Sequence, residues 1–272
     1  MATLVAFHAH PDDECFLQSG SLAKAAHDGH RVVVVYATRG EVGEVPDGLL
    51  APGETLVERR MAEAGRSAEA LGVHRVAWLG YRDSGMMGTA DNDDPACFWQ
   101  ADIDEAASRL AAILREEAAD VITIYDENGN YGHPDHIQVH RVGLRAAELA
   151  ATPHVLEATV SREHLRSLID QAADAGQPVD DLPDLDDENV TFGMPEAVIT
   201  TVVDVTDFLD QKRASMAAHA TQVQDTGLFL DMPPDAFRAA MGLEFYIRHG
   251  VPPGHRDDDL FAGVGAAEAP SR

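Results

Sequence analysis

Along the first half of the chain and a little beyond, short apolar runs alternate with segments of helical spacing. Leu4 to His8 is a brief apolar run and predicts a strand. Cys15 to Asp28 carries helical spacing and stops at Gly29. Arg31 to Thr38 contains Val32-Val33-Val34-Val35, a strand too apolar to show either face to water. Glu54 to Leu71 predicts a long helix closed by Gly72, and Arg75 to Leu79 a third strand. Ile103 to Ala118 reads as a helix, Val121 to Tyr125 as a fourth strand, Asp135 to Ala150 as another helix, and His154 to Val160 as a fifth strand.

This β-α-β-α order predicts an α/β fold, with a Rossmann-like, mostly parallel sheet and helices on both faces. In such sheets ligands bind beyond the carboxyl ends of the strands. That rule singles out the loops His10 to Glu14, Gly40 to Glu44 and Asp126 to His136. The later chain is less regular. Gln177 to Glu188 is rich in Asp and Pro and reads as a solvated loop. Val198 to Val205 returns as a strand and Asp207 to Gln222 as a helix, with Asp204 or Thr206 placed to cap it. No internal repeat or domain boundary is visible, so residues 1–272 are expected to form a single domain. Beyond about Gly250, and over residues 255–272 in particular, an extended or disordered tail is expected.

Composition narrows the partners. The formal net charge of −27, from 47 acidic and 20 basic residues, argues against nucleic acid and anionic membrane surfaces. No apolar run approaches the length of a membrane helix, and the first residues show no basic stretch before an apolar one. Two cysteines, Cys15 and Cys97, offer no disulfide framework and no thiolate zinc site, which points to a reducing cytoplasm. Nothing in the sequence speaks to oligomeric state.

Candidate chemistry lies in the loop after the first strand, His8-Ala9-His10-Pro11-Asp12-Asp13-Glu14. Three adjacent acids repel one another, and a divalent cation removes that cost. Imidazole nitrogen with carboxylate oxygen suits zinc or ferrous iron. The bland alternative is that acids at a helix start only complement the helix dipole. A second cluster weighs against it: after the fourth strand the chain runs Asp126-Glu127-Asn128-Gly129-Asn130-Tyr131-Gly132-His133-Pro134-Asp135-His136, again at a strand end and a helix start. In a doubly wound sheet these two ends can share one crevice.

Together, His10-Pro11-Asp12-Asp13-Glu14 and Gly132-His133-Pro134-Asp135-His136 resemble the PIG-L/LmbE-like zinc deacetylases. The resemblance is closest to the branch that holds the deacetylase of mycothiol biosynthesis and the mycothiol S-conjugate amidase, and it covers most of the chain. Thr38-Arg39-Gly40-Glu41-Val42-Gly43-Glu44, Arg60-Met61-Ala62-Glu63, Arg82-Asp83-Ser84-Gly85-Met86 and His219-Ala220-Thr221-Gln222 resemble further family segments. The resemblance implies His10, Asp13 and His136 as ligands of zinc, with ferrous iron as the alternative, and an open position for water. It implies Asp12 as general base, His133 as stabiliser of the oxyanion or proton donor to the leaving amine, Asp135 as the residue that orients or charges His133, and Tyr131 as a mobile hydroxyl near the oxyanion. Glu44, Arg60 and Asp83 match positions that contact sugar.

For several residues a plain structural role competes. His8 is expected either behind the metal ligands or as a core histidine, and His140, one turn from His136, as structural rather than a ligand. Glu14 is expected either behind the metal or as a helix cap, and Arg60 with Glu63 would otherwise be a surface ion pair. The implied substrate is a small N-acyl sugar, an N-acetylglucosaminyl compound, with the mycothiol S-conjugate amide as the alternative. Residues 45–53 and 86–99 are expected to line the pocket. Two histidines and a carboxylate also describe a non-haem iron oxygenase, which the extra Asp12 and His133 argue against. A nucleotide-binding role would need a G-x-G-x-x-G turn after the first strand, and acids stand there instead. No Gly-x-Ser-x-Gly elbow supports a serine hydrolase. A non-catalytic sugar-binding relative remains the last competitor.

Overall fold

In a computed structural model of the chain, described for residues 1–174, 176, 185, 191–222, 227, 229–252 and 254–265, one seven-stranded sheet organises the molecule. The Val32–Val35 run explains its centre. Val33 and Val35 face one core with Val5, Phe7, Ile122 and Ile124, while Val32 and Val34 face the other with Leu4 and Ala6. Each fully buried side chain of this size contributes roughly 1.5–3 kcal/mol of transfer free energy.

The strands are β1 (Thr3–His8), β2 (Arg31–Tyr36), β3 (Arg75–Trp78), β4 (Val121–Tyr125), β5 (His154–Thr159), β6 (Thr201–Asp204) and β7 (Leu243–Arg248). Their order is β3-β2-β1-β4-β5-β7-β6. The pairs among β1 to β5 are parallel, and β7 runs antiparallel to both β5 and β6. The expected α/β architecture with a mostly parallel sheet is therefore present. The chain moves outward from β1 through β2 to β3, then restarts at β4 on β1's other side. The switch point lies between β1 and β4, where a ligand crevice is expected.

The helices are α1 (Asp13–Leu17), α2 (Ser19–His27), α3 (Leu56–Leu71), α4 (Ile103–Glu116), the single turn α5 (Gly129–Gly132), α6 (Pro134–Ala150), α7 (Arg162–Asp174), α8 (Leu209–Ala218) and α9 (Pro234–Met241). Helices α4 and α6 supply the core on one face of the sheet, α2 and α3 on the other. A capping box fixes the start of α3: Glu58 N–H donates to Thr55 Oγ1 at 3.2 Å, and Thr55 N–H to Glu58 Oε2 at 2.9 Å.

Several sequence expectations need correction. The helix expected from Cys15 to Asp28 starts at Asp13 and breaks at Gln18, whose φ is −139° and whose side-chain oxygen accepts the Thr123 hydroxyl at 2.5 Å. The segment read as one strand over Val198 to Val205 is a strand only at β6, and Asp207 to Gln222 divides into α8 and two 3-10 turns. Neither Asp204 nor Thr206 is the N-cap of α8, which is Phe208 with no side-chain cap; Asp204 accepts Thr206 N–H at 2.9 Å just before the helix. Much of the stretch expected as a tail is packed, up to Val264: Asp257 bridges to Thr201, the buried Arg248 pairs with Asp257 at 3.1 Å, Leu260 is buried with Val264 against it, and Phe261 stacks on His30 at 3.7 Å. The end of that stretch, 266–272, lies outside the described residues, as does the loop read over Gln177 to Glu188 apart from the buried Leu185. Both cysteines are buried and free. Among the described residues no helix is long and apolar enough to cross a membrane.

Candidate metal centre

The carboxyl ends of β1 and β4 are tied together before the loops begin. Tyr125, the last residue of β4, places its hydroxyl 2.9 Å from His8 Nδ1 and accepts Ala9 N–H at 3.4 Å. His8 is thus a buried core histidine. The two loops that follow carry the two His/Asp clusters into one place.

In the first loop Asp13 spans two histidines. Its Oδ2 accepts His10 N–H at 2.7 Å and lies 3.5 Å from His10 Nδ1, while its Oδ1 lies 3.2 Å from His136 Nε2. His10 Nε2 sits 3.1 Å from Asp135 Oδ2 and 3.5 Å from Asp83 Oδ1. Side-chain donors of His10, His133 and His136 converge, as do those of His10, Asp83 and Asp135. Burial pushes the His10 imidazole down, but Asp83, Asp13 and Asp135 outweigh it and hold it well above its usual range. Burial raises the Asp13 carboxyl, and the His136 and His10 rings beside it more than reverse that, keeping it well below the usual carboxylate range.

Three carboxylates around one imidazole demand positive charge, which a divalent cation supplies. His136 Nδ1 is buried without a hydrogen-bond partner. Nitrogen and carboxylate donors at these separations fit zinc or another borderline divalent metal. The site therefore fits a metal, and its donor set leaves the metal's identity open.

Asp12 is held apart from these contacts. Its φ of 112° is rare for a residue with a side chain and costs about 1–3 kcal/mol. Arg60 braces this turn: its guanidinium donates to Asp12 Oδ1 at 2.9 Å, to the Pro11 carbonyl, and to the Gly40 carbonyl at 3.1 Å. Gly40 has φ +71° and a side chain there would meet Arg60 Nη1 at 2.1 Å, so glycine is required for this approach. Burial pushes the Asp12 carboxyl up to about 6, with Arg60 opposing. Behind the loop, the buried Glu14 accepts Asp12 N–H at 3.1 Å, the Ser67 hydroxyl at 2.5 Å and His219 Nε2 at 2.6 Å.

In the second loop His133 is the N-cap of α6, with Pro134 following. Its Nδ1 accepts Asp135 N–H at 3.1 Å, which leaves the ring proton on Nε2. Burial, with His10 and His136 nearby, lowers its pKa to about 3, so the ring is neutral. Asp135, implied as the residue acting on His133, reaches that ring through this backbone bond. The Asp135 carboxylate turns instead to His10 and to Ser84, whose backbone N–H it accepts at 3.0 Å and whose hydroxyl it also accepts. Tyr131 is exposed, with its hydroxyl 3.4 Å from His136 Nε2.

A cavity of about 470 Å³ opens over these groups, lined by His10, Asp12, Asp13 and His133, with Glu44, Tyr131, Met86 and Gln222 among its other walls. That volume is ordinary for a small-molecule site. Arg60 reaches this cavity as well as bracing the loop, and Asp83 lies beside His10 with its oxygens also accepting Gly85 N–H at 2.8 Å and Val42 N–H at 3.3 Å. Arg60 and Glu63 form no pair with each other: both are buried, and Glu63 accepts Thr221 N–H at 3.1 Å. His140 lies outside the cluster, with Nδ1 3.0 Å from the Tyr125 carbonyl. Sequence reasoning gave no role to Ser84, which binds the Asp135 carboxylate, or to the buried Asp126, although both lay inside quoted segments.

Known proteins resemble this chain in sequence and fold. The family described as PIG-L, GlcNAc-PI de-N-acetylase, matches residues 5–147. The chain is 42% identical to the 1D-myo-inositol 2-acetamido-2-deoxy-alpha-D-glucopyranoside deacetylase of Acidothermus cellulolyticus, over 98% of this chain and 97% of that one. It is 39% identical to the enzyme of the same name from Thermobifida fusca, over 95% and 98% of the two chains. Among solved structures, the N,N'-diacetylchitobiose deacetylase of Pyrococcus horikoshii has the same fold, with a TM-score of 0.56 at 22% identity over 96% of this chain and 86% of that one.

Proposed function

This chain belongs to the PIG-L family of GlcNAc-PI de-N-acetylases, and from that membership we propose that it hydrolyses the acetamide of an N-acetylglucosaminyl compound to acetate and a free amine. The proposed substrate is the inositol glycoside named in its relatives, a 1D-myo-inositol 2-acetamido-2-deoxy-alpha-D-glucopyranoside. The observation that carries the reading is the division of labour between neighbours: Asp13 spans His10 and His136, while Asp12 stands in the cavity on Arg60.

His10, Asp13 and His136 would hold the metal, read as zinc, whose chemistry is to lower the pKa of a water and polarise the acyl carbonyl. Asp12 takes a proton from the attacking water, with Arg60 fixing the carboxylate's direction. The Nε2–H of neutral His133 donates to the oxyanion of the tetrahedral species. The Tyr131 hydroxyl, at the cavity wall, supports the same oxygen. When the carbon–nitrogen bond breaks, the proton taken by Asp12 goes to the leaving amine. Glu44, Arg60 and Asp83 hold the sugar hydroxyls, and the cytoplasm is the proposed compartment.

The test is amine and acetate release from the inositol glycoside, from free N-acetylglucosamine and from a mycothiol S-conjugate amide, with and without oxygen. The reading expects kcat/KM on the glycoside to exceed the others by at least about tenfold and to ignore oxygen. Faster cleavage of the S-conjugate would move the chain to the amidase reading. Hydrolysis of none, or a need for oxygen, would overturn the deacetylase reading.

A further inference from the structure

The turn between β4 and α6 carries two of the proposed catalytic groups, yet what holds it lies outside them. Asp126 is fully buried. Its Oδ1 accepts Asn128 N–H and Asn130 N–H, both at 3.0 Å. Its Oδ2 accepts Asn130 Nδ2–H at 3.0 Å and the Thr159 hydroxyl at 2.6 Å. Asn130 Nδ2 also donates to the Ala158 carbonyl at 3.0 Å, and the Asn130 carbonyl accepts Gly193 N–H at 3.0 Å. One carboxylate therefore gathers the turn and moors it to the end of β5.

The turn needs such a mooring. Asn130 adopts φ 63° and ψ −53°, close to the rare and strained γ-turn conformation. A conformation of that kind persists only where its surroundings over-determine it. The next residue is Tyr131, whose ring lies 4.8 Å from that of His136, and two residues on His133 opens α6. A buried carboxylate is costly unless its oxygens are filled by donors, and here four donors fill them. The strand ladder of β4 with β5 ends at Tyr125, so these bonds are not part of holding the sheet.

We propose that Asp126 is a positioning residue, which sets the Asn130 turn and through it aims Tyr131 and His133 into the cavity. The catalytic consequence rests on the deacetylase reading; the control of the turn does not.

The experiment uses the full-length, zinc-loaded protein and its Asp126→Asn variant. Asparagine keeps the volume and one acceptor but puts a donor where Asn130 Nδ2 and the Thr159 hydroxyl also donate. Zinc content and KM should stay within about twofold of wild type, kcat should fall by about a hundredfold, and hydrogen exchange at Asn130 N–H should speed up at least about tenfold. In a Tyr131→Phe background the same substitution should cost markedly less in kcat, because residues acting as one unit are not additive. Unchanged exchange at Asn130 overturns the proposal, and so does an equal loss of kcat in both backgrounds. If the wild type cleaves no N-acetyl sugar, the deacetylase reading fails by itself, and exchange at Asn130 still decides whether Asp126 controls the turn. Should Asp126→Asn fail to fold, Thr159→Val removes one donor alone and should give the same split at smaller size.

Discussion

The loops after β1 and after β4 are alike in geometry and different in what holds them. Each places a non-glycine residue at positive φ beside the cavity, Asp12 at 112° and Asn130 at 63°, and each leans on a buried carboxylate, Glu14 or Asp126. Glu14 is held by Ser67 of α3 and by His219, so the first loop depends on elements distant in the chain and on an ionisable partner. The partners of Asp126 are uncharged, and three of its four bonds come from its own turn. One loop is fixed by tertiary docking and charge, the other by local hydrogen bonding anchored on a strand.

Gly129→Ala should break the second loop most severely. At φ +62° the new side chain would meet Ile137 N at 2.6 Å and His136 Cβ at 2.7 Å. Strain and overpacking together should cost on the order of 3 kcal/mol, read as a lowered urea midpoint with weakened zinc retention. No comparable glycine stands in the first loop, which runs from His10 through Pro11, Asp12 and Asp13 to Glu14.

Glu14→Gln should act on the first loop and depend on pH. Burial raises the Glu14 carboxyl, but His219 and Ser67 outweigh it and lower its pKa to about 2. Burial lowers the His219 imidazole, but Glu14 outweighs it and raises its pKa. The Glu14 contribution is present above the ordinary carboxylate value of 4.5 and is lost as pH falls towards 2. The His219 contribution is present below the ordinary value of 6.5 and is lost as pH rises through the raised one. Unfolding by urea should therefore show the variant less stable by about 1.5–3 kcal/mol between these limits, with the gap narrowing on both sides. A gap that stays constant across the whole pH range would contradict this account of the first loop.

Thr55→Ala should have the smallest effect. It removes the capping box of α3, the helix that carries Arg60 and Ser67, and should cost about 0.5–2 kcal/mol in urea unfolding.

The parts of the molecule written in short-range patterns were legible. The Val32–Val35 run, the apolar ends of β1 and β4 and the paired His/Asp clusters predicted the sheet and brought the right loops together. Strand β7 was not legible, for a physical reason: its buried positions are Glu244, Tyr246 and Arg248, while Leu243, Phe245 and Ile247 are only partly buried. Glu244 pairs with Lys212 at 2.5 Å and accepts the Gly20 and Ser21 N–H groups, and Arg248 pairs with Asp257. Buried ion pairs reverse the alternation that marks a strand. Asp126 was hidden in a similar way, because an acid at a strand end looks like a cap or a solvated loop until its burial is known, whereas Glu14 was already expected behind the metal or as a helix cap. The Asp135 carboxylate shows the limit of motif reasoning, since the family resemblance implied that it acts on His133, and its contacts are with His10 and Ser84.

The most direct test of the proposed chemistry is amine release from the inositol glycoside, measured with zinc content for wild type, Asp12→Ala and His136→Ala. The account predicts that Asp12→Ala keeps its metal and loses about 10²–10⁴-fold in kcat, while His136→Ala loses both metal and turnover. Equal metal in all three proteins, or full activity in Asp12→Ala, would contradict it.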